Sequence, residues 1–154
     1  MKKTGISLIL ISICLNLFSI QPLKADTQRE LVIINSVDSP VTSISLNEFR
    51  KLFLGATVVK EHIRLKPIQN ISDPEIEKIF LQKVVFMSKR NYERRILSSV
   101  FRHGGERPSV YSDMSELISE LSKSTNVLSY AWSDQVQNND QIKAIGILWS
   151  GQID

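Results

Sequence analysis

The chain has 154 residues, with 19 basic and 16 acidic side chains and one cysteine; this length suits one domain with its own core, and a lone cysteine excludes an internal disulfide framework. Lys2, Lys3 and Lys24 fall in the first 25 positions, which hold no acid, so residues 26–154 balance 16 basic against 16 acidic groups. The net charge of +3 therefore belongs to the leader, and the composition argues against a nucleic-acid partner.

Residues 1–25 read as a secretory signal peptide. Lys2 and Lys3 form a positive start, Gly5 to Ile20 is nearly all apolar, and a more polar stretch ends at Ala25. The apolar run has 16 residues, short of the roughly 20 a spanning helix needs, so no integral membrane protein is expected after cleavage. Cys14 follows Ile13 and lacks the small residue before it that lipidation requires. Residues 26–154 are then expected to form one domain, periplasmic or secreted.

Glu30 to Asn35 is a short β-branched run and predicts a buried strand. After the loop Ser36 to Ser43, Ser45 opens a helix in a capping box with Glu48; Ile44 and Phe49 can staple its entry. Leu46, Phe49 and Phe53 form its expected apolar stripe, and Gly55 its left-handed stop. Short extended pieces follow at 57–59 and 63–68. Asp73-Pro74 starts a helix carrying Ile76, Ile79, Phe80 and Val84. A further helix is predicted from about Ser88 to Arg102, with Tyr92, Ile96 and Val100 on one side and Leu97 and Phe101 beside them. Val110-Tyr111 reads as a strand, Asp113 as the cap of a helix with Leu117 and Leu121, and 127–131 and 142–147 as two strands. Helices interleaved with strands predict an α/β domain with a largely parallel sheet and flanking helices.

Little in the sequence points to catalysis. His62 and His103 are far apart, no nucleophile has a base beside it, and there is no glycine-rich phosphate loop. No catalytic residue, metal or cofactor is expected. Two features suit an anion. The hydroxyls of Ser36, Ser39 and Ser43 precede one helix start, and Ser72 precedes another, where free amides and the helix dipole favour negative charge. Arg90, Arg94 and Arg95 form a basic patch that fits an oxyanion, an acidic partner or a lipid phosphate, or simply a solvated face.

Taken together, these pieces resemble the short proteins related to phosphate-transporter substrate-binding proteins, in the periplasmic binding protein type II superfamily. The resemblance rests on Asn35 with the Pro40 loop, on Ser43 to Gly55 with its Phe-Leu-Gly ending, on Pro67 to Asn70, on Phe80 to Val85, on Val100 to Gly104 with Pro108, and on Val127 to Tyr130. It implies a minimal two-lobed type II-like fold, export, and binding of a small phosphate-like oxyanion. Carried over by position, the ligand contacts fall on Ser36, Ser39 and Ser43 and on Ser72 and Asp73. Glu77 stands where the family often has an arginine, and Ser129-Tyr130 where it has Gly-Tyr. The alternative is a fold kept as an interaction module for an envelope protein, with an empty cleft and the stretch 89–107 as its contact surface.

Overall fold

A computed structural model describes residues 28–104 and 107–153. The predicted signal peptide lies outside the described residues. Strand β1 (Gln28–Ser36) is followed by α1 (Leu46–Phe53), a small hairpin of β2 (Val59–Lys60) and β3 (Ile63–Arg64), and β4 (Lys66–Asn70). Then come α2 (Pro74–Ile79), which runs on as a π-helical turn over Phe80–Val84, and α3 (Lys89–His103). The chain closes with β5 (Ser109–Tyr111), α4 (Met114–Ser122), β6 (Val127–Trp132), α5 (Ser133–Gln137) and β7 (Ile142–Gln152).

The central sheet has five strands in the order β5-β4-β6-β1-β7. β4 pairs parallel with both β5 and β6, while β1 pairs antiparallel with β6 and with β7. Four strands therefore point one way and β1 alone is reversed, which makes the sheet mostly parallel, as expected. The reversal of β1 decides where its loop lies. β1 ends beside the start of β7, with Ser36 opposite Ile142, at the end of the sheet where β6 begins.

Alternation along the strands feeds two cores, one on each face. Leu31, Ile33, Leu128, Tyr130 and Trp132 pack on the face covered by α1, α2 and α3. Val32, Ile34, Val127 and Ala131 pack on the other, with Leu117 and Leu121 of α4. An aromatic cluster centres the first core: Phe80 stacks on Tyr130 with centroids 4.5 Å apart, and Phe49, Phe53 and Tyr92 meet these two rings edge-on.

The capping box forms as predicted, with Glu48 N–H donating to Ser45 Oγ at 3.2 Å and Ser45 N–H to Glu48 Oε2 at 3.0 Å. Gly55 takes a left-handed φ of 89° just past α1. One expectation fails, and the structure adds two features. Leu46 is 39% exposed; Leu52 takes its place in the buried stripe, because the helix phase sets Phe49, Leu52 and Phe53 inward. Phe101, 85% exposed, and Leu97 face outward, while Tyr92 and Ile96 are buried and Val100 packs partly against the same core. α5 was not foreseen; it is held in part by the Gln135 carboxamide, which accepts from Trp132 N–H at 3.1 Å.

Candidate functional site

The two groups expected to share a ligand lie at opposite ends of β6. Ser39 Oγ donates to Thr125 O, just before β6, at 2.6 Å. Asp73 Oδ2 accepts from Nε1 of Trp132, the last residue of β6, at 2.8 Å. Five strand steps of about 3.3 Å separate the ends by about 16 Å, more than one oxyanion spans.

Each group is also engaged internally. Ser36 and Ser39 are buried; Ser36 Oγ accepts from Asp38 N–H at 3.2 Å and Ser39 Oγ from Val41 N–H at 3.3 Å. The loop turns its carbonyls, not its amides, towards a charge: Lys143 Nζ donates to Val37 O at 3.1 Å and to Ser39 O at 2.6 Å. Ser43 is exposed, two residues ahead of the Ser45 cap. At the other end, Ser72 N–H and Oγ both donate to Asn70 Oδ1, at 2.9 and 2.7 Å. Asp73 caps α2 through Oδ1, which accepts from Glu75 N–H at 2.8 Å. The protein's own carboxylate thus fills the start of α2, where an anion would sit. The strand reversal thus sets Ser36, Ser39 and Ser43 at one end of β6 and Ser72 and Asp73 at the other.

A different cavity, of about 180 Å³, opens between α2, the first half of α3 and the adjoining ends of β4 and β5. Glu77, Lys89, Tyr92, Glu93, Gln69 and Arg107 line it, with Ile71, Ile96, Pro108 and Val110 as its apolar members. Glu77 and Lys89 pair at 2.9 Å, and this bond pushes the Lys89 pKa up. The pairing answers the repulsion expected of Glu77 towards an anion. Two unit charges about 4 Å apart in a partly screened site interact by about 4 kcal/mol, and Lys89 offsets that term.

The Tyr92 side chain is 3% exposed, and its hydroxyl is buried without a hydrogen-bond partner. Burial pushes its pKa well up, with Arg107 opposing, so the phenol stays protonated and can donate. Behind it, burial likewise raises the Tyr130 pKa; that hydroxyl feels the Asn70 backbone and the Gln69 side chain, but outside hydrogen-bond geometry. Among the described residues neither Glu93 nor Arg107 has an ion-pair partner.

Arg90, Arg94 and Arg95 stay on the exposed side of α3 and do not reach this cavity. Arg94 and Arg95 share a shallow depression with Met87, Asn91 and Ser98, and Arg94 donates to Asn91 Oδ1 at 2.8 Å. No group of three or more His, Cys, Asp or Glu capable of holding a metal occurs among the described residues. The helical spacing assigns Tyr92 to the core, and no local pattern marks Gln69. The available signal was a phenol in an apolar stripe, since a buried tyrosine hydroxyl normally needs a partner.

No protein-family model matches the chain, and no curated protein does. Solved structures do match. One, described as a phosphate ABC transporter substrate-binding protein with bound phosphate, from Clostridium perfringens, has a TM-score of 0.56 at 14% identity, over 77% of this chain and 44% of that one. PstS from Borrelia burgdorferi has a TM-score of 0.54 at 15% identity, over 77% of this chain and 47% of that one. One described as a phosphate-binding protein, from Planctomyces limnophilus, has a TM-score of 0.54 at 12% identity, over 78% and 42%. The fold is that of the periplasmic binding proteins, matched over less than half the length of each of these neighbours. The chain is thus a periplasmic-binding-protein-like α/β domain, and none of its described helices is long and apolar enough to cross a membrane.

Proposed function

We propose that this chain is an exported, non-enzymatic binding protein that takes a small ligand bearing an oxyanion group in the cavity between α2, α3, β4 and β5. The observation that carries the reading is the buried, unpartnered Tyr92 hydroxyl beside Arg107. A buried polar group without a partner costs about 1–3 kcal/mol, and a ligand oxygen that accepts from it removes that cost. Arg107 supplies the balancing charge, and its guanidinium suits phosphate or carboxylate in bidentate geometry. The phosphate-transporter neighbours support an oxyanion ligand, and the leader supports a periplasmic or secreted address.

Calorimetric titration of residues 26–154 with phosphate, sulfate and small carboxylates tests this. Binding that falls at least tenfold in Arg107→Ala is expected; no heat from any of these anions with a folded protein overturns the reading. Mass spectrometry of the envelope fraction should find a form starting near Asp26, and an intact Met1 form would refute export.

A second reading has its own observation. Arg90, Arg94 and Arg95 share the outer surface of α3 with exposed Leu97 and Phe101, a combination of arginine and aromatic groups that interfaces favour. On this reading the fold serves an acidic envelope protein as partner, and reversing Arg90 and Arg94 to glutamate abolishes the contact.

A further inference from the structure

We infer that the ligand of this cavity is a zwitterion with an apolar body, of the class of a small apolar α-amino acid. The inference rests on the proposed ligand site and names the chemistry that site selects. Its basis is the set of charges left over. Glu77 and Lys89 neutralise each other at 2.9 Å. What remains around the cavity is one carboxylate, Glu93, which makes no direct ion pair but lies close enough to help raise the Lys89 pKa, one guanidinium, Arg107, without an ion pair among the described residues, and the Tyr92 hydroxyl, without a hydrogen-bond partner.

A simple anion matches only half of that set. It satisfies Arg107 and Tyr92 and leaves Glu93 facing like charge. Inorganic phosphate, carrying one to two negative charges near neutral pH, fits worst, because the four charged groups lining the cavity sum to zero. A ligand with one carboxylate and one ammonium group matches both signs. Its carboxylate accepts from Arg107 and from the Tyr92 hydroxyl, and its ammonium donates to Glu93. Apart from the Gln69 carboxamide, the rest of the wall is apolar, with Ile71, Ile96 and Val110 among its members. Those apolar members offer nothing to the oxygens of phosphate or sulfate and fit a short hydrocarbon side chain, whose burial adds affinity roughly in proportion to area. The cavity, at about 180 Å³, holds such a molecule.

The test titrates the protein calorimetrically with L-leucine, N-acetyl-L-leucine, L-leucinamide and inorganic phosphate. The acetyl group removes the cation and the amide removes the anion, each with the body kept. The expected result is that L-leucine binds and that both blocked forms and phosphate bind at least tenfold more weakly. Glu93→Gln should weaken L-leucine at least tenfold and leave N-acetyl-L-leucine unchanged or tighter, with folding checked by circular dichroism. If phosphate or N-acetyl-L-leucine binds as tightly as L-leucine, or Glu93→Gln leaves L-leucine unaffected, the ammonium subsite is refuted and the oxyanion reading stands without it. If no probe binds the folded protein, both readings fall.

Discussion

Tyr130→Phe should make this protein more stable. Tyr130 is fully buried between Phe80, Phe53 and Phe49, and its hydroxyl has no hydrogen-bond partner. Removing the oxygen keeps the stacked ring and ends the desolvation penalty of an unmatched hydroxyl, about 1–3 kcal/mol. The lower end of that range gives about 1 kcal/mol. With a urea slope of about 1–3 kcal/mol per molar, the midpoint should rise by roughly 0.3–1 M. Trp132, buried at the end of the same strand, provides the fluorescence signal. Tyr130→Ala is the control and should cost about 3–5 kcal/mol through lost packing. A Tyr130→Phe protein that unfolds at lower urea than the wild type would mean that the hydroxyl is bonded, and would also remove the argument built on Tyr92.

Tyr92→Phe should be neutral or stabilising without ligand and should weaken ligand binding several-fold, read by paired urea melts and calorimetry. Phe49→Ala should cost about 3–5 kcal/mol, whereas Ser45→Ala should cost about 1 kcal/mol through the lost cap; equal midpoints for the two would contradict the packing of α1. Glu48 is held by the Ser45 hydroxyl and backbone N–H and by Lys60, which lower its pKa from 4.5 to about 2. Because that pKa is depressed, the increment is present above pH 4.5 and lost as pH falls towards about 2; solvent exposure keeps it to about 1 kcal/mol or less, and Glu48→Gln should flatten this part of the pH profile. Asp73→Ala should cost about 2 kcal/mol by uncapping α2 and leaving the Trp132 indole unmatched, while Asp73→Asn, still a good cap, should cost less than about 1 kcal/mol.

What the sequence disclosed depended on range. The capping box of Ser45 and Glu48, the Pro74 helix start and the β-branched run of β1 are local patterns, and each predicts an element that forms. The direction of β1 is not local, because a buried run reads the same way up or down. Its reversal moved Ser36 and Ser39 to the far end of β6 from Asp73. The resemblance pointed to the right fold, yet transferring its contacts by position could not register that move. The cavity was hidden for a related reason. Gln69, Glu77, Tyr92 and Arg107 come from four separate segments, and only the folded chain brings them around one cavity. Leu46 and Phe101 mark the limit of periodicity: eight-residue α1 tolerates more than one phase, and α3 carries apolar residues on both its sides.

The positions where a binding site was expected are filled by the protein's own polar side chains. Lys143 takes the carbonyls of the first loop, Asp73 takes the start of α2, and Asn70 takes the Ser72 amide and hydroxyl. Each of these is a satisfied internal bond, and each would have to break before a ligand entered. The cavity beside α3 differs: it holds a buried donor without an acceptor, and two exposed charges, Glu93 and Arg107, that make no direct ion pair among the described residues. An internal bond already made competes with a ligand, whereas an unmatched donor favours one, since binding then gains a hydrogen bond and gives up none. The same comparison explains how Glu77 can stand where the resembling family often has arginine. It sits in an ion pair with Lys89 across α2 and α3, so it braces one wall of the cavity and leaves recognition to Tyr92, Glu93 and Arg107.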